Sequence, residues 1–137
     1  MEFADIKIFI VSSVFLLLAE GIWNFFMLTG TLYILREKET LYTKKFYYYI
    51  VYGTIFSTIT DRGFSYVVTN VSFLKNIWQG TNILIRLGVM VVPIIILIIA
   101  HYFLASLVLD FDNRTAFKVA LILGILTAPW PTFFSNF

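Results

Sequence analysis

The sequence predicts an all-α integral membrane protein with about four transmembrane helices and one amphipathic helix between the second and third. The 137 residues are 60% hydrophobic and only 13% charged, whereas soluble domains are about 45–50% apolar and about 25% charged. Apolar runs also recur along the chain, most of them near the roughly 20 residues that a helix needs to cross a bilayer. This number of charged residues is too small to cover the surface of a soluble protein. Residues 1–137 are therefore expected to form a single transmembrane domain in lipid.

The first two spans are predicted at residues 8–35 and 46–60. Residues 8–35 contain one charge, Glu20, and at about 1.5 Å per residue they exceed the length that a core of about 30 Å requires. The charged segment 36–45 follows as a solvated loop. Residues 46–60 are short for a span, and the next three residues, Asp-Arg-Gly at 61–63, indicate a solvated helix end.

An amphipathic helix is predicted at residues 64–79. Apolar side chains recur there at the spacing of one helical face, beginning with Phe64. The opposite face carries a polar stripe: Ser65, Thr69, Ser72, Asn76 and Gln79. A strand is the other interpretation of this segment, but an open strand edge is not tolerated in lipid. The polar stripe is expected either to face water along the membrane surface or to line a pore.

The third and fourth spans are predicted at residues 82–109 and 115–134. The third carries Arg86 near its start, and this long side chain is expected to reach the lipid headgroups. Pro93 removes a backbone donor within the same span and predicts a kink. The fourth span is broken by prolines around Trp130, which is predicted to be an anchor at the membrane interface.

The basic residues predict an orientation. Four spans place the loop 36–45 and the turn 110–118 on the same side of the membrane. Together these two segments hold six of the ten basic residues. Because basic residues favour the cytoplasmic side, both termini are predicted to be non-cytoplasmic, in a cell membrane or inner membrane.

Three polar residues within the predicted spans are candidates for an ion, proton or substrate pathway. Glu20 lies near the centre of the first span, where a charged residue costs about 2.5–3.5 kcal/mol on insertion scales. Asn24 follows one helical turn later, on the same face. His101 lies in the third span and can relay protons near neutral pH. The alternative is that all three form packing contacts between helices.

Composition and motifs exclude several classes of chemistry. The chain has no cysteine, which removes disulfides, thiolate nucleophiles and cysteine-based metal sites. It contains no glycine-rich phosphate loop, Gly-x-Ser-x-Gly motif or helical pair of metal-ligating side chains. The net charge of +2 is too small to indicate nucleic acid. No catalytic residue, metal, cofactor or enzyme activity is therefore predicted.

Two functions remain open from the sequence. The first is a non-enzymatic membrane subunit that self-assembles or joins a larger membrane complex through its helices. The second is a small homo-oligomeric channel or transporter for an ion or small polar solute, using Glu20, Asn24 and His101. The expected partners are the bilayer and either further copies of the chain or other membrane subunits. The two functions differ in whether the polar residues converge on one water-accessible path.

Overall fold

Every regular element in the described part of the chain is a helix. The computed structural model describes residues 3–79 and 82–134. The helices are α1 (Phe3–Ile34), α2 (Lys44–Asn70), α3 (Ser72–Gln79), α4 (Ile83–Leu107), α5 (Asn113–Leu126) and α6 (Trp130–Phe134), with one 3₁₀ turn at Lys38–Thr40. The prediction of an all-α protein is confirmed.

Three stretches are long and apolar enough to cross a membrane. They are α1, α4 and the stretch Asn113–Phe134, which contains α5 and α6. They correspond to the spans predicted at 8–35, 82–109 and 115–134. Many large apolar side chains stay exposed on these helices, as expected where the surrounding solvent is lipid. An integral membrane protein with transmembrane helices is therefore supported.

The prediction that the second helix ends at residues 61–63 is wrong. α2 continues without a break for 27 residues, to Asn70. The Asp61 side chain faces Glu20 of α1, and the Arg62 guanidinium donates to two serine hydroxyls of α1. Because both charged side chains find polar partners on α1, neither needs a solvated helix end.

Residues 64–79 are divided between two helices instead of forming one. The first part completes α2, and α3 begins at Ser72. Between them Val71 adopts an extended conformation, with φ −82° and ψ 113°. The polar stripe predicted on this segment is therefore split between two helices with different directions.

The loop between α1 and α2 and the turn between α4 and α5 lie at the same end of the bundle. Lys45, in the first turn of α2 directly after the loop, forms an ion pair with Asp110 in the turn between α4 and α5. An apolar cluster packs beneath them: Leu28, Leu32, Phe46, Tyr49, Leu104, Ala105, Leu109, Ala116, Val119 and Leu123. The two basic segments of the sequence are thus neighbours in space.

The helix that follows this turn is capped by Asp112. Its carboxylate accepts a hydrogen bond from the Thr115 backbone amide at 3.2 Å. Hydrogen bonds from the Thr115 side chain and amide hold the pKa of Asp112 below its ordinary value of 3.8. α5 therefore begins at this fixed position at the end of the bundle.

The opposite end of the bundle is organised around Arg86, and the prediction that this side chain reaches the headgroups is wrong. Arg86 is fully buried. Its Nε donates to the Trp78 carbonyl at 2.8 Å, and its Nη1 donates to the Phe133 carbonyl at 3.1 Å. The guanidinium carbon lies 4.9 Å from the centre of the Trp78 ring. These carbonyls take the place of headgroup oxygens, so Arg86 connects α3 and α6 to α4.

Candidate functional site

Polar side chains line both sides of the interface between α1 and α2. On α2 they recur every three or four residues: Thr54, Thr58, Asp61, Ser65 and Thr69. On α1 they recur at intervals of seven and four residues: Ser13, Glu20 and Asn24. Both spacings place the side chains on one helical face. The two helices therefore pack with polar stripes facing each other.

Three polar contacts connect α1 and α2 at successive positions along the helices. Arg62 Nη2 donates to Ser13 Oγ at 3.2 Å, the Glu20 and Asp61 carboxyls face each other at one pocket, and Asn24 Nδ2 donates to Thr54 Oγ1 at 3.2 Å. Because the two helices are antiparallel, the three contacts follow one another along the central part of the interface between α1 and α2. Polar contacts of this kind hold membrane helices together.

The carboxyl pair Glu20–Asp61 is the most unusual of these contacts. An ionised carboxylate only accepts hydrogen bonds, so a hydrogen bond between two carboxyls requires that one of them carry a proton. At about 1.5 Å per residue, Glu20 lies about 21 Å from the Ile34 end of α1, and Asp61 about 25 Å from the Lys44 end of α2. Both carboxyls therefore lie within the depth of a hydrocarbon core of about 30 Å.

The carboxyl pair lines a pocket of about 410 Å³. The other lining residues are mostly apolar or aromatic: Leu16, Ala19, Trp23, Leu126, Thr127, Ala128, Trp130, Pro131 and Phe134. One oxygen of the pair, Asp61 Oδ1, is buried without a hydrogen-bond partner among the described residues. The pocket thus combines apolar walls with a carboxyl pair that has spare capacity to bind a proton or cation.

The wall opposite α1 is the break between α5 and α6. The indole N–H groups of Trp23 and Trp130 donate to the carbonyls of Leu126 and Ile125, at 2.9 and 2.7 Å. Because lipid offers no hydrogen-bond donors, carbonyls freed by a helix break must find partners within the protein. The carbonyl end of a helix carries partial negative charge and favours cations. Trp130, predicted as an interface anchor, therefore helps to build this wall.

His101 lies in a separate hydrogen-bonded group next to the pocket. Its Nδ1 lies 2.5 Å from the Tyr49 hydroxyl, and its Nε2 lies 3.1 Å from Thr127 Oγ1. The Thr127 hydroxyl donates its only hydrogen to the Leu123 carbonyl at 2.7 Å, so it must accept from His101 Nε2–H. Nδ1 is then the acceptor for Tyr49. Both ring nitrogens of His101 are thus hydrogen-bonded in a neutral imidazole, and Thr127 links this side chain to the pocket.

The predicted site residues are thus brought together in part. Glu20 lines the pocket, Asn24 lies one turn away with its Oδ1 unpartnered among the described residues, and His101 reaches the pocket through Thr127.

The predicted polar stripe is divided. Ser65 and Thr69 line a second pocket beside Arg62, while Ser72, Asn76 and Gln79 lie exposed on α3 and line neither pocket.

Asp61 is the site residue that the sequence analysis missed. Its position in the sequence could have identified it. Polar residues recur at helical intervals on both sides of Asp61: Thr54, Thr58, Ser65 and Thr69. That periodicity requires the helix to run through residues 61–63. The adjacent charges and the glycine at residues 61–63 suggested a helix end instead, so this periodicity was not recognised.

Comparison with protein-family models, curated proteins and solved structures gives no match to this chain. Within residues 3–79 and 82–134, no group of three or more His, Asp or Glu side chains is placed to hold a metal ion. The chemistry available at the site is therefore that of two carboxyls, two indole rings and a helix carbonyl end.

Proposed function

We propose that this chain is a small membrane transporter that carries a proton or another monovalent cation on the Glu20–Asp61 pair. The observation that carries the proposal is the meeting of the two carboxyls on the wall of a pocket within the apolar bundle. Ionising both in this pocket is costly, because like charges repel and the mostly apolar lining solvates neither. Binding a proton or cation removes that cost, so the pair has two states that differ by one positive charge.

The surroundings of the pair support a cation over an anion. The carbonyl end of α5 adds partial negative charge to the pocket wall. Trp23 and Trp130 also line the pocket, and indole rings can attract a cation. Within residues 3–79 and 82–134, the lining contains no basic residue. An anion entering this pocket would meet the carboxyl pair without a cationic side chain from the described lining to bind it.

We propose α2 as the fourth span. At about 1.5 Å per residue its 27 residues measure about 40 Å, more than the hydrocarbon core requires. Its polar residues Thr54, Ser57 and Thr58 are buried, and large apolar side chains face outward: Val51, Tyr52, Ile55, Phe56 and Ile59. Mean hydropathy underestimates the tendency of such a helix to span a membrane, because lipid contacts only its outer face.

The short helix α3 then lies at the membrane surface, as the amphipathic element between the second and third spans. Its Trp78 is buried against the bundle while Ser72, Asn76 and Gln79 are exposed. With four spans, the basic loop 36–45 and the turn 110–118 are cytoplasmic, and both termini are non-cytoplasmic.

The second candidate is a membrane subunit that assembles through its helices. Its support comes from the first half of α1, where residues 3–19 contain no buried side chain. The first buried residue of α1 is Asn24. A second copy of the chain packed against this half would bury it, and the transporter proposal is compatible with such an oligomer.

Flux through proteoliposomes tests the transport proposal. Purified protein is reconstituted into vesicles that contain a dye sensitive to pH, Na⁺ or K⁺, and separate arms impose a gradient of the ion that the dye reports. Glu20→Gln and Asp61→Asn keep the shape and hydrogen bonding of the side chains but remove the titrating group. We expect each to reduce flux about tenfold or more, while Glu39→Gln, an exposed acid in the loop, leaves flux unchanged.

Chemical cross-linking in the same vesicles measures assembly alongside flux. If the pair carries the cation, flux falls while the oligomer persists. Wild-type protein that conducts none of the three ions, or Glu20→Gln and Asp61→Asn proteins that conduct like the wild type, would remove the transport proposal and leave the assembling subunit.

A further inference from the structure

A second pocket lies on the other side of Arg62, between the first half of α1 and the end of α2. Its volume is about 470 Å³. Hydroxyl and amide side chains dominate its lining: Ser13, Thr58, Ser65, Tyr66, Thr69 and Asn70, with Phe9, Arg62 and Gly63 completing it. Arg62 is the single charged residue among them. The pocket therefore combines one positive charge with several neutral hydrogen-bonding groups.

The Arg62 guanidinium has no acidic partner among residues 3–79 and 82–134. Its Nη2 donates to the neutral hydroxyls of Ser12 and Ser13, at 3.3 and 3.2 Å. Its guanidinium carbon lies 5.6 Å from the centre of the Phe9 ring. The neighbouring Asp61 faces Glu20 instead. A half-buried arginine at this position carries a full charge that the described residues leave uncompensated, and a charge in that setting is costly.

The Thr58 hydroxyl points to the same ligand chemistry. Thr58 is only 9% exposed, and its Oγ1 has no hydrogen-bond partner among the described residues. It lines this second pocket together with Arg62. A buried polar atom without a partner is rare in native proteins and indicates an absent ligand or water. A guanidinium beside hydroxyl donors matches the oxygens of a phosphate group.

The depth of Arg62 identifies the source of that phosphate. Arg62 lies about 27 Å from the Lys44 end of α2 at helical rise, which is near the far boundary of a core of about 30 Å. Phospholipid phosphates lie just outside that boundary. The exposed rings of Phe9 and Tyr66 offer an apolar surface to the acyl chains of the same lipid.

We propose that the pocket formed by Ser13, Thr58, Arg62 and Ser65 binds the phosphate of an anionic phospholipid. The positive charge of the pocket favours a lipid with net negative charge over a zwitterionic one. The bound headgroup neutralises Arg62 and fixes the position of α1 against the end of α2. This site is separate from the carboxyl pair, and the proposal does not depend on transport.

Native mass spectrometry of the detergent-purified chain tests this proposal. The probes are phosphatidylglycerol, phosphatidylcholine and inorganic phosphate, each added at the same concentrations. We expect wild-type protein to retain phosphatidylglycerol in preference to phosphatidylcholine. Arg62→Gln should weaken phosphatidylglycerol binding about tenfold or more, because hydrogen bonds to charged groups are the stronger class. Lys75→Gln, an exposed cation on α3, is the matched control and should bind like the wild type.

A second variant separates binding from folding. Arg62→Lys keeps the positive charge but loses the planar fork that holds two phosphate oxygens, so it should fold and bind phosphatidylglycerol with intermediate strength. Equal binding by Arg62→Gln and Lys75→Gln would overturn the proposal. Saturable binding of inorganic phosphate that displaces phosphatidylglycerol would assign the pocket to a soluble anion and overturn the lipid source.

Discussion

Replacing Tyr49 with phenylalanine removes one hydroxyl from the interior of the bundle and tests the assigned state of His101. The Tyr49 hydroxyl lies 2.5 Å from His101 Nδ1. Because Nε2–H is committed to Thr127, Nδ1 is an acceptor and Tyr49 is its donor. Tyr49→Phe therefore leaves an acceptor nitrogen without a partner while the ring keeps its packing.

The expected cost follows from burial. Tyr49 and His101 are each 2% exposed, so water cannot replace the lost hydroxyl. A buried polar group left unsatisfied costs about 1–3 kcal/mol. Hydrogen bonds between membrane helices average about 0.6 kcal/mol and reach about 1.7 kcal/mol. Since no lipid or water reaches this position, we expect a loss of about 1–2 kcal/mol in the free energy of unfolding.

Unfolding in mixed detergent micelles measures this loss, with Tyr48→Phe as the matched control. Tyr48 is the preceding residue on α2 and is about half exposed, so its hydroxyl should contribute less than about 0.5 kcal/mol. His101 is the only histidine, so one ¹⁵N-labelled imidazole reports the tautomer directly. Equal losses for the two tyrosine variants, or an Nδ1–H tautomer in the wild type, would refute the reasoning.

The remaining predictions concern packing and topology. A Cβ atom at Gly124 would lie 2.4 Å from Ile98 Cγ1 and 2.9 Å from Ile98 Cα, so Gly124→Ala should cost about 1–3 kcal/mol of stability by overpacking. Gly88→Ala, where a Cβ meets nothing within 4 Å, is the control, and equal unfolding midpoints would contradict the close approach of α4 and α5. Single cysteines at Thr40 and Asn113 should react only with a reagent on the cytoplasmic side, and labelling from opposite sides would exclude the four-span arrangement.

The fold class and three of the spans could be predicted because they depend on a local property. An apolar run of about 20 residues specifies a membrane helix without knowledge of its neighbours. The end of α2 could not be predicted in the same way. Adjacent Asp61 and Arg62 indicate solvent when considered alone, and only the presence of Glu20 and Ser13 on α1 makes their burial acceptable.

Part of the site could also be predicted, because some of its residues are recognisable from their local sequence alone. Glu20 and Asn24 stand out because polar side chains are rare within a long apolar run. Their partners Asp61 and Thr54 lie on a more polar helix, where neither is unusual. His101 stands out as well, but its sequence position gives no information about Tyr49 and Thr127. Pairing across helices depends on how the helices pack, which the sequence pattern does not specify.

The adjacency of Asp61 and Arg62 has a consequence for the two proposed sites. Successive residues on a helix point about 100° apart, so Asp61 and Arg62 face different sides of the contact between α1 and α2. Asp61 meets Glu20 at the pocket of about 410 Å³, and Arg62 lines the pocket of about 470 Å³. The acidic group therefore lines one pocket and the basic group lines the other. A cation and a lipid phosphate can therefore occupy neighbouring positions on this helix pair, each favoured by a charge that the other pocket lacks.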